Sequence, residues 1–379
     1  MIESGSGEFQ LTVRRLSITA IILLAHSLFS GPCWADSWQN TVSSRIATEY
    51  ETNPSMTPAY SGGVRRLFFE PSYMLMGSDG RNELRAGLAL QIARSSNRTL
   101  SPDRDSPSVF LDWLRPSEAG SFGISTKYAE MATRDAGGVE ATGRVPAAST
   151  RATRSLSGNW SLELSEHNAI SANGTYEKIS YKGGTFVNYA TRAGGLKYSH
   201  GFSENTAVFV STSGNQYIPT GGGPTSSLVD IALGLNSKTE YFDWTIQAGK
   251  SRVAGQSSDM QGSVQGQYTG ERSHLALSAG RVVSPSGLGG FTKVDQSSAH
   301  WNYALSEYSN MGVDLDLRKN RNLTINNISS SAGVWLEHSL AACWKGRVNY
   351  LHRILKGGGV EGASSNILGI SLAYSYSDL

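Results

Sequence analysis

The chain has 379 residues, with 33 Lys+Arg against 31 Asp+Glu, a formal net charge of +2 and a pI near 8.4, so no bulk charge draws it to nucleic acid. Charged residues make up only 17%, against the roughly 25% of an average soluble domain, while glycine reaches 42. Mean hydropathy is −0.27, and beyond the N-terminal segment no run approaches the ~18 apolar residues of a membrane helix, which excludes a helical membrane protein.

The first segment has the order of a secretory signal peptide: Arg14-Arg15, the apolar run Leu16 to Phe29, then Gly31-Pro32-Cys33-Trp34-Ala35. Residues 1–35 are therefore expected to be removed, leaving 36–379 as one barrel domain. Cys343 is then the single remaining thiol, so an exported chain must hold together without an internal disulfide.

From Arg45 onward apolar residues recur at every second position in long blocks, and no block keeps a 3.6 period. Leu156, Gly158, Trp160, Leu162 and Leu164 share one parity, whereas Ser155, Ser157, Asn159, Ser161 and Glu163 share the other. Val229, Ile231, Leu233 and Leu235 alternate in the same way with Asp230, Ala232 and Gly234, and Met311, Val313, Leu315 and Leu317 alternate with Asp314, Asp316 and Arg318. A soluble sandwich alternates too, so length decides. The blocks match the ~9–11 residues that cross a bilayer at a tilt better than the ~5–6 of ordinary strands.

Connections give a second signal. Short ones such as Ser78-Asp79-Gly80, Ser165-Glu166-His167 and Ser203-Glu204-Asn205 are interleaved with longer Gly/Pro/Ser/Asn-rich ones. The longer set reads as Asn53 to Gly63, Ser95 to Ser108, Thr133 to Ser149, Gln216 to Ser227, Ala254 to Asp259, Ser284 to Gly290, Asn320 to Ser330 and Gly357 to Ser365. Short turns on one side and long loops on the other are the habit of outer-membrane barrels. The fold class expected is all-β, a transmembrane antiparallel up-and-down β-barrel of about 16–18 strands, an even number, with aromatics such as Trp38, Tyr50, Trp160 and Tyr198 forming girdles at block ends.

The chain resembles bacterial outer-membrane β-barrels of the porin type associated with exopolysaccharide and exosortase gene clusters. The residues that carry the resemblance are Ala47-Thr48-Glu49-Tyr50-Glu51-Thr52-Asn53-Pro54 and phrases such as Leu164-Ser165-Glu166-His167-Asn168 leading to Gly174-Thr175-Tyr176. The resemblance implies an outer-membrane pore or export channel and brings no catalytic residues. One departure is the end of the chain: many such barrels close on an aromatic residue, whereas Tyr374 and Tyr376 here run off parity into Asp378-Leu379.

A barrel of about 16–18 strands leaves an aqueous channel, so transport of polar solutes or saccharides, by diffusion or export, is the expected function. Thr133 to Ser149 follows the fifth strand, where general porins fold a loop into the channel. Its charges and those just beyond it, Arg134, Asp135, Glu140, Arg144, Arg151 and Arg154, are candidates for a constriction whose field selects among solutes. A mobile surface loop is the alternative. Parity places Lys127, Glu163, Glu177, Asp230, Asp243, Asp314, Asp316, Arg318 and Glu337 on the lumen wall, as selectors or as a structural ion-pair network. No Gly-x-Ser-x-Gly, His-Glu-x-x-His or Cys-x-x-Cys-His occurs, so neither an enzyme nor a bound cofactor is expected. Expected partners are the lipid bilayer, lipopolysaccharide and a polar solute, in the cell outer membrane. The competing reading is a structural barrel serving a secretion, exopolysaccharide or cytochrome electron-transfer complex through periplasmic partners.

Overall fold

The computed structural model describes residues 37–60, 62–136, 148–321, 326–357 and 360–378. The export segment expected over 1–35 lies outside the described residues, as do Glu140 and Arg144. The strands are β1 (Ser37–Glu51), β2 (Val64–Ser78), β3 (Glu83–Ser95), β4 (Arg104–Ser117), β5 (Gly120–Ala132), β6 (Thr150–Ser165), β7 (Asn168–Lys182), β8 (Tyr189–Ser203) and β9 (Thr206–Pro219). They continue as β10 (Ser226–Lys238), β11 (Phe242–Val253), β12 (Asp259–Thr269), β13 (Ser273–Ser286), β14 (Gly290–Ala304), β15 (Ser309–Arg321), β16 (Asn326–Ala341), β17 (Trp344–Gly357) and β18 (Val360–Ser377).

All belong to one 18-stranded sheet in which each strand pairs antiparallel with its neighbours in sequence. β1 also pairs with β18, from Thr41 opposite Ser377 to Glu51 opposite Ile367. That pairing closes the sheet and removes both edges, the arrangement a bilayer demands because it cannot satisfy exposed backbone groups. Period-two patterning fixes the register: a slip of one residue would turn every apolar side chain inward. Val42, Ile46, Leu156, Leu233, Val264, Leu315, Val334 and Ile370 all lie exposed on the outer face, where hydrocarbon rather than a protein core would cover them.

The alternation of connection lengths holds in the first part of the chain and then fades. On the side of the barrel away from the chain ends, the connections 52–63, 96–103 and 133–149 are long. Those after β13, β15 and β17 shrink to 287–289, 322–325 and 358–359, no longer than the opposite turns. The long connections expected over Ser284 to Gly290, Asn320 to Ser330 and Gly357 to Ser365 are thus corrected: strand pairing runs through most of those residues. Their Ser, Asn and Gly suit a loop by propensity, but ladder hydrogen bonds to both neighbours override propensity in a closed sheet.

Candidate functional site

On the loop side, the inner face divides into two regions of opposite chemistry. The first is charged and is built by β1, β2, the connection after β5, β17 and β18. Glu51, the last residue of β1, points inward with its side chain 1% exposed and is met by Arg66 of β2 at 2.9 Å and by Arg134 at 3.0 Å. Arg66 also holds Glu49 at 3.2 Å, and Ser365 of β18 donates its hydroxyl to Glu51. Both guanidiniums therefore share one carboxylate, which charge-assisted hydrogen bonds favour only if the groups are held in place.

What holds Arg134 is local. Thr133–Asp135 form a single 3-10 turn whose neck is pinned by the buried hydroxyl pair Thr133 Oγ1 and Ser149 Oγ at 2.7 Å and by Thr133 N–H donating to Ser149 C=O at 3.1 Å. Arg134 then donates Nη1 to the Pro54 carbonyl at 2.7 Å, tying the connection after β5 to the one after β1. The latter is anchored in turn by Asn53, whose amide donates to Thr57 C=O at 2.8 Å and to Ser364 C=O at 3.1 Å. Burial works to lower the Arg134 guanidinium, yet the carboxylates of Asp135 and Glu51 hold it above its ordinary range. Asp135 faces Arg353 of β17 at 3.8 Å, and further in, Arg45 meets Glu70 at 3.0 Å while Gln91 donates to the same carboxyl at 2.7 Å. Asp316 and Arg318 of β15 complete the rim of a cavity of ≈ 1030 Å³ lined by these side chains.

The second region is dry. Ile179 and Tyr181 of β7, Tyr189 of β8 and Tyr217 of β9 form a buried cluster against which Phe186 and Phe291 pack. Tyr189 and Tyr217 stack with centroids 4.8 Å apart, and Phe291 of β14 lies 6.3 Å from Tyr217. Backbone completes the bridge: Val187 N–H donates to Gly287 C=O at 2.8 Å, and the Tyr189 hydroxyl reaches the Pro285 carbonyl at 3.5 Å. A Cβ at Gly287 would stand 2.8 Å from the Tyr181 ring, so this hairpin tip comes close because it carries no side chain there. The β7–β8 connection and the β13–β14 hairpin are thus clasped together across the interior, with β14 also approaching β9 and β10.

Register places Lys127, Arg151, Glu163, Glu177, Asp230, Asp243, Asp314, Asp316, Arg318 and Glu337 on the inner face. They do not form one group. Arg134, Asp135, Asp316 and Arg318 line the charged cavity, and Arg151 stands opposite Tyr181 of the clasp. Asp230 accepts from Ser213 at 3.3 Å in a separate cavity of ≈ 240 Å³ between β9 and β13, and Asp314 pairs with His300 at 2.9 Å. Glu163 and Asp243 lie at the opposite end of the barrel, beside the short turns.

Arg154 departs from its expected place in the constriction. It shares the parity of Leu156 on the outer face, with its guanidinium 5.6 Å from the Tyr128 ring centroid. The connection ends before it, and the strand's period then dictates its side. Sequence reasoning missed Glu51, Arg66 and the whole clasp. Glu51 and Arg66 could have been found from the parity of β1 and β2, and the clasp from aromatics at Tyr181, Tyr189 and Tyr217 on the parity that elsewhere carries Ser, Thr and Gln. Among the described residues no group of three or more His, Cys, Asp or Glu side chains has metal-binding geometry.

No family model and no curated protein matches the sequence. In structure the chain is similar to OccAB4 of Acinetobacter baumannii, with TM-score 0.51 and 10% identity over 92% of this chain and 100% of that one. It is similar to OccAB2 of the same organism at TM-score 0.51 and 11% identity, covering 92% and 100%. A third likeness is to the outer membrane protein opdK from Pseudomonas aeruginosa, at TM-score 0.50 and 9% identity, covering 91% and 100%. What these likenesses share with the chain is the fold, a closed up-and-down β-barrel of the outer-membrane class.

Proposed function

We propose that the chain is an outer-membrane channel for small polar solutes or saccharides, its passage running through the charged cavity beside β1, β2, β17 and β18 rather than down the barrel axis. The observation that carries this reading is the Glu51-centred network, in which a loop residue, Arg134, is drawn inward to narrow a polar space while the aromatic clasp of β7–β9 fills the other side of the interior. Guanidiniums and carboxylates alternate around the passage. Such a lining favours neutral or zwitterionic hydrogen-bonding solutes over a strong preference for either ion sign, because each fixed charge is already countered by its neighbour.

Single-channel conductance of the refolded chain without its first 35 residues tests this. Discrete, stable steps are expected, together with size-dependent uptake of sugars in liposomes. Replacing Arg134 by Ala is expected to raise conductance and to shift selectivity toward cations, since it withdraws a side chain from the passage and leaves Glu51 and Asp135 less countered. The clasp favours a second reading, a barrel whose mouth is held shut and which serves a larger export assembly. A correctly folded chain that stays silent in the bilayer and copurifies with other envelope proteins would support that one instead.

A further inference from the structure

The outer face of β6–β8 carries a cluster of cations that the channel reading does not use. Arg154 of β6 stands directly opposite Lys178 of β7, and Arg192 of β8 stands opposite Tyr176, one outward step from Lys178. Side chains related in this way lie roughly 5 Å and 7–8 Å apart at their Cβ atoms, so the three belong to one patch, at the β5 edge of which Arg154 leans over the Tyr128 ring. The patch is bordered by the Tyr128 ring beneath Arg154, by Gln216 opposite Arg192 and by exposed Tyr176 and Leu156.

Several other cations of the outer face are neutralised by the protein itself, whereas Arg65, Lys250 and Arg252, exposed on the same face, form no ion pair among the described residues. Arg94 meets Asp105 at 2.8 Å, Arg281 meets Asp295 at 2.6 Å, and Lys182 meets Glu130 at 3.5 Å just above this patch. Among the described residues no carboxylate lies within ion-pair distance of Arg154, Lys178 or Arg192. Cations on a lipid-facing wall are tolerated only where depth brings them to headgroup level or an anion meets them. All three sit toward the side of the barrel that carries the long connections, above the apolar band of Leu156, Trp160 and Leu196.

We propose that Arg154, Lys178 and Arg192 form a binding site for the phosphate of a phosphorylated glycolipid of the lipid A type in the outer leaflet. Two planar guanidiniums can each grip phosphate oxygens in a bidentate fork, the ammonium adds a point charge, and the flanking tyrosines sit where an amphipathic ring meets sugar and acyl chain. The assignment rests on the outer-membrane reading for its direction, with the long connections facing out.

The test is native mass spectrometry of the refolded barrel in detergent, titrated with bisphosphorylated lipid A. The triple variant Arg154→Ala/Lys178→Ala/Arg192→Ala is expected to bind at least about tenfold more weakly, in line with the loss of charge-assisted contacts, and lipid A stripped of phosphate is expected to bind the wild type as weakly. An Arg94→Ala/Asp105→Ala control, which removes a self-neutralised pair, is expected to bind like wild type. Equal affinity of the triple variant, or of the dephosphorylated lipid, would overturn the site. Displacement of lipid A by millimolar inorganic phosphate would overturn it as a lipid site in favour of a soluble anion. All three side chains face outward and take no part in backbone pairing, so retained heat-modifiable mobility on gels verifies the fold. Conductance is read separately: silent channels with lipid A affinity intact would bring down the channel reading and leave this one standing.

Discussion

Two stretches of the same inner wall, at the same height and built by the same strand geometry, have been filled in opposite ways. Around β1, β2 and β17 the inward positions carry Glu49, Glu51, Arg66 and Arg353, and the nearby connection contributes Arg134. Around β7–β9 they carry Ile179, Tyr181, Tyr189 and Tyr217, which reach the β13–β14 hairpin. The first arrangement keeps water because its charges need solvent or partners on every side. The second expels it, and gains stability from buried aromatic area as a soluble core does. A large barrel need not have a uniform lumen: closing part of the mouth with a dry clasp pushes any passage to the other side.

The clasp should yield the larger effects. Tyr189 is 1% exposed and touches both the β9 wall and the opposite hairpin. Tyr189→Ala is expected to cost about 4 kcal/mol, the range for deleting a buried large aromatic, measured as a shift in the urea midpoint of folding in detergent or lipid. The same variant sharpens the comparison electrically, because loosening the clasp should add a second path and raise conductance. Unchanged conductance at reduced stability would mean that the clasp braces the wall without closing anything. Next in size is Glu51→Gln, which leaves Arg66 and Arg134 facing one another without their shared anion. Its expected cost is about 3 kcal/mol, as for breaking a buried ion pair from one side, with a broadened distribution of conductance steps as Arg134 comes free. A loss well below 1 kcal/mol would show that water enters the network freely and screens it.

The difference between the two regions also sets what the sequence could disclose. Strand period and outer-face residues such as Leu156, Leu233 and Leu315 are local properties, written in residues close together in the chain. Closure of β1 on β18 was implied by the expectation of an even-stranded barrel, since parity and bilayer physics leave no alternative. Glu51 with Arg134 is a pairing across 83 positions, and Tyr189 with Pro285 one across 96, and nothing in a single sequence specifies which distant inward residues meet. The clasp tyrosines carry a further ambiguity, because an aromatic near a strand end suits a lipid girdle equally well and only its parity tells the two apart. The last three outer connections failed for a related reason: Ser and Asn mark a turn only when no neighbouring strand offers a ladder, and here both did.

The finest distinction concerns the neck that aims Arg134. If the charged passage depends on a loop held inward, the hydroxyl pair Thr133 and Ser149 is its hinge pin, buried at 0% and 1% exposure and hydrogen-bonded at 2.7 Å. Thr133→Val keeps the shape and removes one hydroxyl, leaving Ser149 without that partner, so the expected cost is about 1 kcal/mol. The fold should hardly register it. The position of Arg134 should register it more, because the turn is one 3-10 unit with few other anchors, and the expected sign is increased noise in the open-channel current at nearly unchanged mean conductance. Tyr189, two strands along the wall from the start of β6, gives the control: its packing shares no residue with the Thr133–Ser149 pair, so Thr133→Val combined with Tyr189→Ala should be additive in stability. A coupling larger than about 0.5 kcal/mol between them would mean that the clasp and the passage are one cooperative structure and that the division drawn between them does not exist in the folding energetics.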